Sequence, residues 1–402
     1  MKVYILTREP FPNGMAATNR IKCYAKAILE EGIPCEVIIF TRTEVYGKQP
    51  KNLVGEGTFE GIPYRYIGKT PLRNKNIFTR QINDFTDRIR VMHYLFKSLT
   101  KNDIVLGYCN TFVYWINIVI NIIHKKQAYY IRELCELPYG TSQETAKTIK
   151  LRKLTLKKQF PKCDGFIAIS DALVALAQKY KKLNASILKL PILVDYEKYY
   201  MIDKSKDAEI PYIFHSGTLY EQKDGILGMI EAFGIALSQI HHPIYFILTG
   251  EMKNSPHKKE IEILIQKYHL KDKIIFTGYL SDNDLKNYLQ KSSLVIINKY
   301  NTQQNKYCFS TKLAEYLAAN KAVIITEIGE AMNWLENKKN AYIVKPGDTQ
   351  ALADKIIEAF LDTSQREAIA KNGNLVCKNN FDYRRHSSEL IYFFKDISHK
   401  NK

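Results

Sequence analysis

The sequence has few cysteines, and they are not grouped. Its 402 residues include seven cysteines, and no two of them have CxxC spacing. This scatter argues against a zinc site and against a disulfide framework, and it fits a reducing compartment. We therefore expect a cytoplasmic protein that holds no metal.

Long apolar runs and special leader segments are also missing. The longest apolar stretch, Phe112–Ile123, is interrupted by Asn117 and Asn121, and it is shorter than the about 20 residues that a bilayer-spanning helix needs. The apolar run near the N-terminus, "VYIL", is too short for a signal peptide. Both segments are expected to be buried, as a helix and a first strand. No HExxH, P-loop or Ser-His-Asp pattern is present.

Acidic residues are scarce in the first half of the chain. The whole sequence has 59 basic and 41 acidic residues, a net charge of +18. Residues 1–195 contain 31 basic and 16 acidic residues, or +15, which leaves 28 basic and 25 acidic residues, or +3, for the remainder. Such an imbalance predicts an anionic partner for the first half: nucleic acid, an anionic membrane or an anionic substrate. Nucleic acid is disfavoured because no helix-turn-helix, zinc or base-stacking motif is visible.

Short β-rich runs alternate with helical stretches in two series. The first series extends from "VYIL" to "GFIAIS" and Asp171–Lys182, and the second from "YIFHSG" to "AYIVKPGD" and Ala351–Leu361. This order predicts an α/β protein with two Rossmann-like, doubly wound parallel-sheet domains that face a cleft. We expect the domains at residues 1–195 and 196–380, with a C-terminal helix at about 381–402 that packs back on the first.

Two segments of the second series could bind phosphate. Lys223 follows the strand-end turn at Ser216–Gly217, where backbone N–H groups and a lysine can neutralise phosphate oxygens. Ser310 or Thr311 begins a helix whose free N–H groups suit a diphosphate. Glu315 lies one turn into that helix, where a carboxylate can accept hydrogen bonds from a ribose diol.

The first series offers weaker candidates. Gly14 lies in the loop after the first strand and permits close approach of a ligand, although a plain turn explains it equally well. Arg132 and Glu133 end a later strand, where they form either a site for chemistry or a structural ion pair.

The ordered segments together resemble glycosyltransferase family 4, a retaining family of GT-B fold. The segments that carry the resemblance are "HSGTLYEQKDGILGMIEAF", "IYFILTGE", "IIFTGYLSDNDLKNYLQKSSLVIIN", "FSTKLAEYLAANKAVIIT" and "AYIVKPGDTQALADKI". They cover Tyr212–Ala359 well and the first half more loosely. The resemblance implies transfer of a sugar from a nucleotide-sugar donor, with retention of configuration, and with no cofactor besides the donor.

The resemblance also assigns roles to individual residues. Catalytic roles are predicted for Glu133 and Lys223, the latter also as a phosphate ligand, and Glu315 is the predicted ribose ligand. The other predicted donor-binding residues are those that match the strand-end and loop glycines, the nucleobase segment and the diphosphate segment: Gly14, Gly217, Thr218, Gly278, Tyr279, Leu280, Tyr307, Ser310, Thr311, Lys312 and Leu313. Two of these depart from the family pattern, since Tyr307 stands where a second glutamate is common and Thr218 where an arginine is common.

The predicted acceptor is a glycan or a lipid-linked sugar, bound by the first domain, and the expected setting is bacterial surface polysaccharide biosynthesis, since usage rich in Lys, Ile, Asn and Tyr is typical of an AT-rich bacterium. The first domain has two basic stretches, Lys69–Lys101 and Lys147–Lys162. In the second, leucines and Ile149 are interleaved with the lysines, which predicts attachment to the anionic inner face of a membrane, with a solvated helix face as the alternative. A sugar-nucleotide epimerase of the same architecture, a non-catalytic nucleotide-sugar binder and a nucleic-acid-binding protein remain as other readings.

Overall fold

The computed structural model describes residues 1–108, 113–140, 144–200 and 208–400. The chain divides into two compact units. Unit 1 contains Met1–Leu193 together with Tyr383–Lys402, and unit 2 contains Val194–Asp382. Each unit is built around its own sheet, so the expected α/β class with two Rossmann-like domains is confirmed.

Unit 1 contains an eight-stranded sheet in the order β3-β4-β2-β1-β5-β6-β7-β8. All neighbours are parallel except β3 and β4, which form an antiparallel pair at one edge. The central strands β1, β2 and β5 are fully buried, which explains their continuous apolar runs. The strands are β1 Val3–Thr7, β2 Cys35–Ile39, β3 Glu56–Phe59, β4 Ile62–Tyr66, β5 Ile104–Tyr108, β6 Tyr129–Leu134, β7 Gly165–Ala168 and β8 Ser186–Lys189.

Within the described residues, five helices from the N-terminal part of the chain accompany this sheet. Polar caps set several of their starts: Asn76 caps α2, Thr145 caps α4 and Ser170 caps α5, each by accepting from a backbone N–H in the first turn. The helices are α1 Ala16–Glu30, α2 Ile77–Ser98, α3 Val113–Lys125, α4 Ala146–Lys158 and α5 Asp171–Tyr180, with a 3-10 turn at Phe160–Lys162. The expected start of α3 at Phe112 lies outside the described residues.

Unit 2 contains a six-stranded, fully parallel sheet in the order β11-β10-β9-β12-β13-β14. The chain runs outward from β9 to β11 and then returns to build β12, β13 and β14 on the other side. The switch point of this sheet therefore lies between β9 and β12. The strands are β9 Tyr212–His215, β10 Tyr245–Thr249, β11 Ile274–Gly278, β12 Leu294–Ile297, β13 Val323–Thr326 and β14 Tyr342–Val344.

Nine helices accompany the sheet of unit 2 within the described residues. Four of them begin at side-chain caps that accept from a backbone N–H of the first turn: Ser281 from Asp284, Thr302 from Asn305, Asp348 from Ala351 and Asp362 from Gln365. The helices are α6 Tyr196–Tyr199, α7 Glu221–Asp224, α8 Ile226–Leu237, α9 Lys258–Lys267, α10 Asp282–Lys291, α11 Gln303–Tyr307, α12 Thr311–Ala318, α13 Thr349–Leu361 and α14 Thr363–Asn380, with 3-10 turns at Met252–Asn254 and Gly329–Asn333.

The C-terminal segment returns to unit 1. A 3-10 turn at Tyr383–His386 leads into helix α15, Ser387–Lys400, which packs against α1 and β8. The Tyr383 hydroxyl donates to Glu30, and the Ser388 hydroxyl donates to Glu31 over 2.8 Å. Phe394 and Ile397 of α15 are buried in the core of unit 1.

Several described elements are absent from the pattern that the sequence suggested. They include the β3–β4 hairpin, the strand β8, the long helices α2 and α14, and the short helices α6, α7 and α11. Within the described ranges, no helix combines the length and the apolar character that crossing a membrane requires.

Candidate functional site

The carboxyl end of β9 forms a tightly fixed turn at the switch point of unit 2. The N–H of Gly217 donates to Thr249 Oγ1 over 2.8 Å, and the N–H of Ser216 donates to the Tyr316 hydroxyl over 2.9 Å. A Cβ on Gly217 would lie 2.4 Å from Nε2 of His215, so a larger residue would force a rearrangement. In doubly wound sheets, ligands bind beyond the carboxyl ends of the strands at such a switch point.

An ion pair between two helices closes this turn. Lys312 at the start of α12 lies 2.6 Å from Oδ1 of Asp224 in α7. The other carboxylate oxygen, Oδ2, accepts from the N–H and the hydroxyl of Thr218 at 3.1 and 3.2 Å. Burial alone would raise the pKa of Asp224, but Lys312, His215 and the Thr218 N–H hold it well below its usual range. Asp224 is therefore charged, and it fixes the position of the Lys312 ammonium.

Two more lysines accompany this pair. The ammonium of Lys299, which follows β12, donates to the carbonyl of Lys223 over 3.4 Å, and Lys223 is exposed. Burial lowers the pKa of Lys312, as do the charges of Lys299 and Lys223, although Asp224 opposes this effect. Three ammonium groups around one buried carboxylate leave an excess of positive charge at the switch point. Such an excess is suited to a phosphate or diphosphate group.

Helix α12 contributes its N-terminus and a carboxylate to the same region. Ser310 occupies the N-cap position without a capping hydrogen bond from its side chain, so the first-turn N–H groups at Thr311 and Lys312 are not capped by it. Glu315, one turn further, accepts from the hydroxyl of Tyr199 in α6 over 3.2 Å. Leu313 is fully buried and anchors the helix in the unit.

The predicted nucleobase segment continues from this turn across neighbouring strand ends. Gly250, which follows β10, donates its N–H to the carbonyl of Gly278 over 3.0 Å, and a Cβ on Gly250 would lie 2.9 Å from the carbonyl of Gly217. Both Gly250 and Gly278 have positive φ, at 101° and 71°. Tyr279 is 58% exposed, and Leu280 is half-buried. The ends of β9, β10 and β11 thus form one continuous row of backbone.

Tyr307 is the last residue of α11, three positions before Ser310, and its side chain is half-buried. The structure thus brings Gly217, Thr218, Lys223 and Lys312 to one place. The ligand contacts predicted for these residues, for Tyr307 and for the nucleobase segment stay predictions.

A buried histidine adjoins the Asp224–Lys312 pair. The ring nitrogen Nδ1 of His215 lies 2.8 Å from the carbonyl of Ile296, so we assign the proton to Nδ1. Its Nε2 has no hydrogen-bond partner among the described residues and lies 4.0 Å from Oδ1 of Asp224. Burial, together with the charge of Lys312, lowers the pKa of His215 to about 4. The imidazole is therefore neutral near pH 7.

This histidine is expected to make unit 2 sensitive to mild acid. The unfolded chain takes up a proton near pH 6.5, whereas the folded protein resists it until about pH 4. The contribution of neutral His215 to the free energy of unfolding should therefore be fully present above pH 6.5. It should be lost between pH 6.5 and pH 4, so that the free energy of unfolding is lower by about 2 to 3 kcal/mol at pH 4.5. Urea unfolding of the parent and of His215→Gln, each measured near pH 7 and at pH 4.5, checks this. The variant should lose less stability than the parent on acidification, and equal losses would contradict the assignment.

In unit 1, the predicted loop residue Gly14 is held in a confined position. A Cβ on Gly14 would lie 1.9 Å from Oγ1 of Thr18 and 2.9 Å from the carbonyl of Pro10. The preceding residue Asn13 is fixed by Asn52, which accepts from its N–H and donates to its carbonyl, each over 2.8 Å. The glycine is thus required by the packing of this loop, and its predicted contact with a donor stays a prediction.

The second predicted catalytic residue, Glu133, is buried in an ion pair. Its Oε1 lies 2.8 Å from Nε of Arg20, and the two side chains are 1% and 2% exposed. Arg20 also donates to the carbonyl of Pro191 over 3.1 Å and to the Tyr24 hydroxyl over 2.6 Å. Burial raises the pKa of Glu133 although Arg20 lowers it. In the structure Glu133 joins β6 to α1, and its predicted catalytic role stays a prediction.

Unit 1 contains a cavity of its own. A cavity of about 810 Å³ lies between α5, β8 and α15 of unit 1, with Lys181, Lys189 and Lys400 in its walls. None of the predicted site residues lines it. Among the residues that the structure describes, no group of three or more His, Cys, Asp or Glu side chains could hold a metal ion.

The residues that sequence reasoning missed are the partners of the predicted ones. Asp224, Lys299 and His215 surround Lys312, and Tyr199 holds Glu315. Lys299 could have been predicted from the sequence, because it follows an apolar strand, as Ser216 and Gly217 do, and therefore lies at the same edge of the sheet. Asp224 carried no comparable signal, since a short charged helix after a turn is ordinary surface sequence.

Part of the chain is similar to known glycosyltransferases. Residues 200–376 match the family model for glycosyl transferases group 1. The chain is 24% identical over 274 residues to the capsular polysaccharide biosynthesis glycosyltransferase CapM of Staphylococcus aureus, and 21% identical over 250 residues to the uncharacterized glycosyltransferase YqgM of Bacillus subtilis. These matches cover 63% and 60% of this chain, and 66% of the length of each relative.

Solved structures match nearly the whole chain. Sucrose-phosphate synthase from Thermosynechococcus elongatus has a TM-score of 0.75 at 14% identity, with 98% of each chain covered. HepE from Anabaena, solved with UDP and glucose, has a TM-score of 0.72 at 16% identity, with 98% of this chain and 99% of HepE covered. The GT-B fold is thereby confirmed, and so is the resemblance at the level of group 1. Membership of family 4 in particular stays a prediction.

Proposed function

We propose that this chain, whose residues 200–376 match the family model for glycosyl transferases group 1, transfers a sugar from a nucleotide-sugar donor to a glycan or lipid-linked acceptor. The observation that carries the proposal is the lysine cluster at the switch point of unit 2, where Asp224 fixes Lys312 beside Lys299 and Lys223. A nucleotide sugar carries two linked phosphates. This site offers them the ammonium groups of the three lysines and, in addition, the N-terminus of α12.

The donor base is proposed to be uracil. HepE, a structural neighbour, has been solved with UDP-glucose, which makes UDP-sugars the first class to test. The strand-end row from Gly217 to Gly278 would lie along the nucleoside, with exposed Tyr279 offering an aromatic surface beside it. Glu315 would accept hydrogen bonds from the ribose hydroxyls, and its contact with Tyr199 would hold the carboxylate in place.

Charge stabilisation is the chemistry proposed for unit 2. Breaking the bond between sugar and diphosphate leaves additional negative charge on the leaving group. Lys312 and Lys223 would stabilise that charge, and because Asp224 already fixes Lys312, little reorganisation is needed during the reaction. Lys312 would thus supply a positive charge next to Thr218, the position at which the family pattern commonly has an arginine. Retention of configuration and independence from metal ions are part of the same proposal.

Unit 1 is proposed to bind the acceptor, on the cytoplasmic side of a membrane. The relative CapM is named for capsular polysaccharide biosynthesis, which favours a surface polysaccharide or its lipid-linked precursor as the acceptor class. Acceptor assays would accordingly begin with lipid-linked sugars.

Thermal stabilisation by donors tests the site. A ligand that binds only the folded protein raises the melting temperature, so UDP-sugars at saturating concentration should raise it, whereas GDP- and ADP-sugars should not. Glu315→Gln, which loses an acceptor for the ribose hydroxyls, should bind the donor about tenfold more weakly, the value of one good hydrogen bond to a charged group.

Glu262→Gln in α9 provides the matched control, because it makes the same chemical change at a glutamate whose side chain is 55% exposed in the same unit. It should respond to UDP-sugars as the parent does. If no nucleotide sugar of any class raised the melting temperature of the parent, the donor proposal would fall. If Glu315→Gln kept full affinity, only its ribose role would fall.

A further inference from the structure

Helix α2 of unit 1 exposes a continuous apolar stripe. Phe78, Ile82, Phe85, Ile89 and Phe96 are 72%, 61%, 62%, 48% and 52% exposed. Their spacing of four, three, four and seven residues places all of them on one face of the helix. From Phe78 to Phe96 the stripe is about 27 Å long at 1.5 Å per residue. Isolated exposed apolar residues are ordinary, but a stripe of this length marks an interaction surface.

The stripe is not turned towards the core of its own unit. The buried residues of α2 are Asp87, Val91 and Leu95, which lie on another face. Asp87 fixes the helix there, because its carboxylate pairs with Arg42 at 3.3 Å and with Arg90 at 2.7 Å. The same helix is thus attached through one face and presents the stripe on a different one.

Further exposed apolar residues adjoin the start of α2. The backbone of Glu44 is hydrogen-bonded to Pro71 and Arg73 just before the helix, and Arg42 donates to Asn74. The loop fixed in this way exposes Val45 and Tyr46, at 48% and 61%. This loop enlarges the apolar region beyond the helix itself.

The charge around the stripe is mostly positive. Residues 69–101 contain eight basic and two acidic residues, and one of the two acids is the buried Asp87. A second copy of the chain, packed stripe to stripe, would bring like charges such as Arg90 and Lys97 together. An anionic lipid surface complements the same arrangement, since aromatic and aliphatic side chains enter the interface while lysines and arginines meet the headgroups.

The other basic stretch differs from α2. Helix α4 carries Lys147, Lys150, Lys153, Lys157 and Lys158, but none of its large apolar side chains is exposed. It can add electrostatic attraction but offers no group for insertion into the interface.

We propose that the α2 stripe, Phe78 to Phe96, is a membrane-docking surface that inserts into the interfacial region of an anionic bilayer. This surface is independent of the proposed donor chemistry, and it places unit 1, with its proposed acceptor site, at the surface where a lipid-linked substrate resides. Attachment through a helix lying in the plane of the interface needs no membrane-spanning segment.

Flotation with vesicles tests the proposal, using the full chain and no donor. Vesicles of phosphatidylcholine with about one third phosphatidylglycerol should carry the parent upward, pure phosphatidylcholine should do so poorly, and salt should weaken the binding. Phe78→Ser with Phe85→Ser should lower partition into the anionic vesicles at least about tenfold, because two aromatic side chains no longer leave water. Both residues are exposed, so the fold should tolerate the change.

The matched control is Ile263→Ser with Leu361→Ser, since these side chains are 62% and 66% exposed in unit 2. This control should float as the parent does. The proposal is overturned if the parent does not bind anionic vesicles, if the α2 variant binds as well as the parent, or if the stripe instead holds two copies together. In that last case size-exclusion chromatography would show a dimer for the parent and a monomer for the α2 variant.

Discussion

Lys312→Met is expected to lower the free energy of unfolding of unit 2 by about 3 to 5 kcal/mol and to remove its stabilisation by a nucleotide sugar. The carboxylate of Asp224 is only 3% exposed and depends on Lys312 at 2.6 Å. Removing one partner of a buried ion pair leaves the other charge in a poorly solvated place, which accounts for the size of the loss. Urea unfolding at pH 7 measures it.

The double variant Lys312→Met with Asp224→Asn separates the two effects. With both charges gone, most of the stability should return, because a buried pair contributes little relative to neutral groups of similar shape. Donor stabilisation should remain lost, because the cation that meets the diphosphate is still absent. If the double variant regained donor binding, Lys312 would have only a structural role.

Acid should reduce the difference between the parent and Lys312→Met. The pKa of Asp224 is lowered in the folded protein, so the contribution of the pair is present above the ordinary carboxyl range and is lost as the pH falls through the lowered value. Because burial without Lys312 raises the pKa of Asp224 in the variant, that carboxyl becomes neutral there first. The unfolding free energies of the two proteins should therefore begin to approach each other in mild acid and converge as the pH falls further.

The elements that the sequence predicted well are those buried on both sides or bounded by clear caps. The strand series of unit 2 appears where the pattern placed it, and so does the helix expected at Ala351–Leu361, which is α13, Thr349–Leu361, after the cap Asp348. Apolar runs and cap residues are local signals, and they act over the same few residues that form the element.

Helix α2 was missed although its apolar period is present in the sequence. Residues 78, 82, 85, 89 and 96 repeat at helical spacing, but the many charges between them suggested only a basic stretch. The period alone also could not have shown that this stripe faces solvent. That follows from the tertiary contacts of Asp87, Val91 and Leu95 on the other face.

The partners of the site residues could not be predicted for a different reason. Asp224 meets Lys312 across 88 positions of sequence, and Arg20 meets Glu133 across 113. Such pairs depend on which strand ends become neighbours in the sheet. No single-sequence pattern encodes that neighbourhood, so Glu133 could equally be interpreted as a catalytic group or as half of an ion pair.

Glu133→Gln is the variant that decides between these two interpretations. The Arg20 guanidinium, 2% exposed, would lose the carboxylate at 2.8 Å and keep only neutral partners, the Pro191 carbonyl and the Tyr24 hydroxyl. We expect unfolding of unit 1 to become easier by about 3 to 5 kcal/mol, measured by urea titration. Burial raises the pKa of Glu133 although Arg20 lowers it, as expected for a carboxylate that has lost its contact with water.

Replacing both charges, as Glu133→Gln with Arg20→Met, should for that reason cost clearly less than Glu133→Gln alone. If sugar transfer returns together with stability in the double variant, Glu133 acts by joining β6 to α1. A catalytic Glu133 would give a different pattern, in which the double variant regains stability and binds the donor like the parent but transfers no sugar. Because the ion pair with Arg20 is present under both interpretations, they differ in whether sugar transfer returns together with stability.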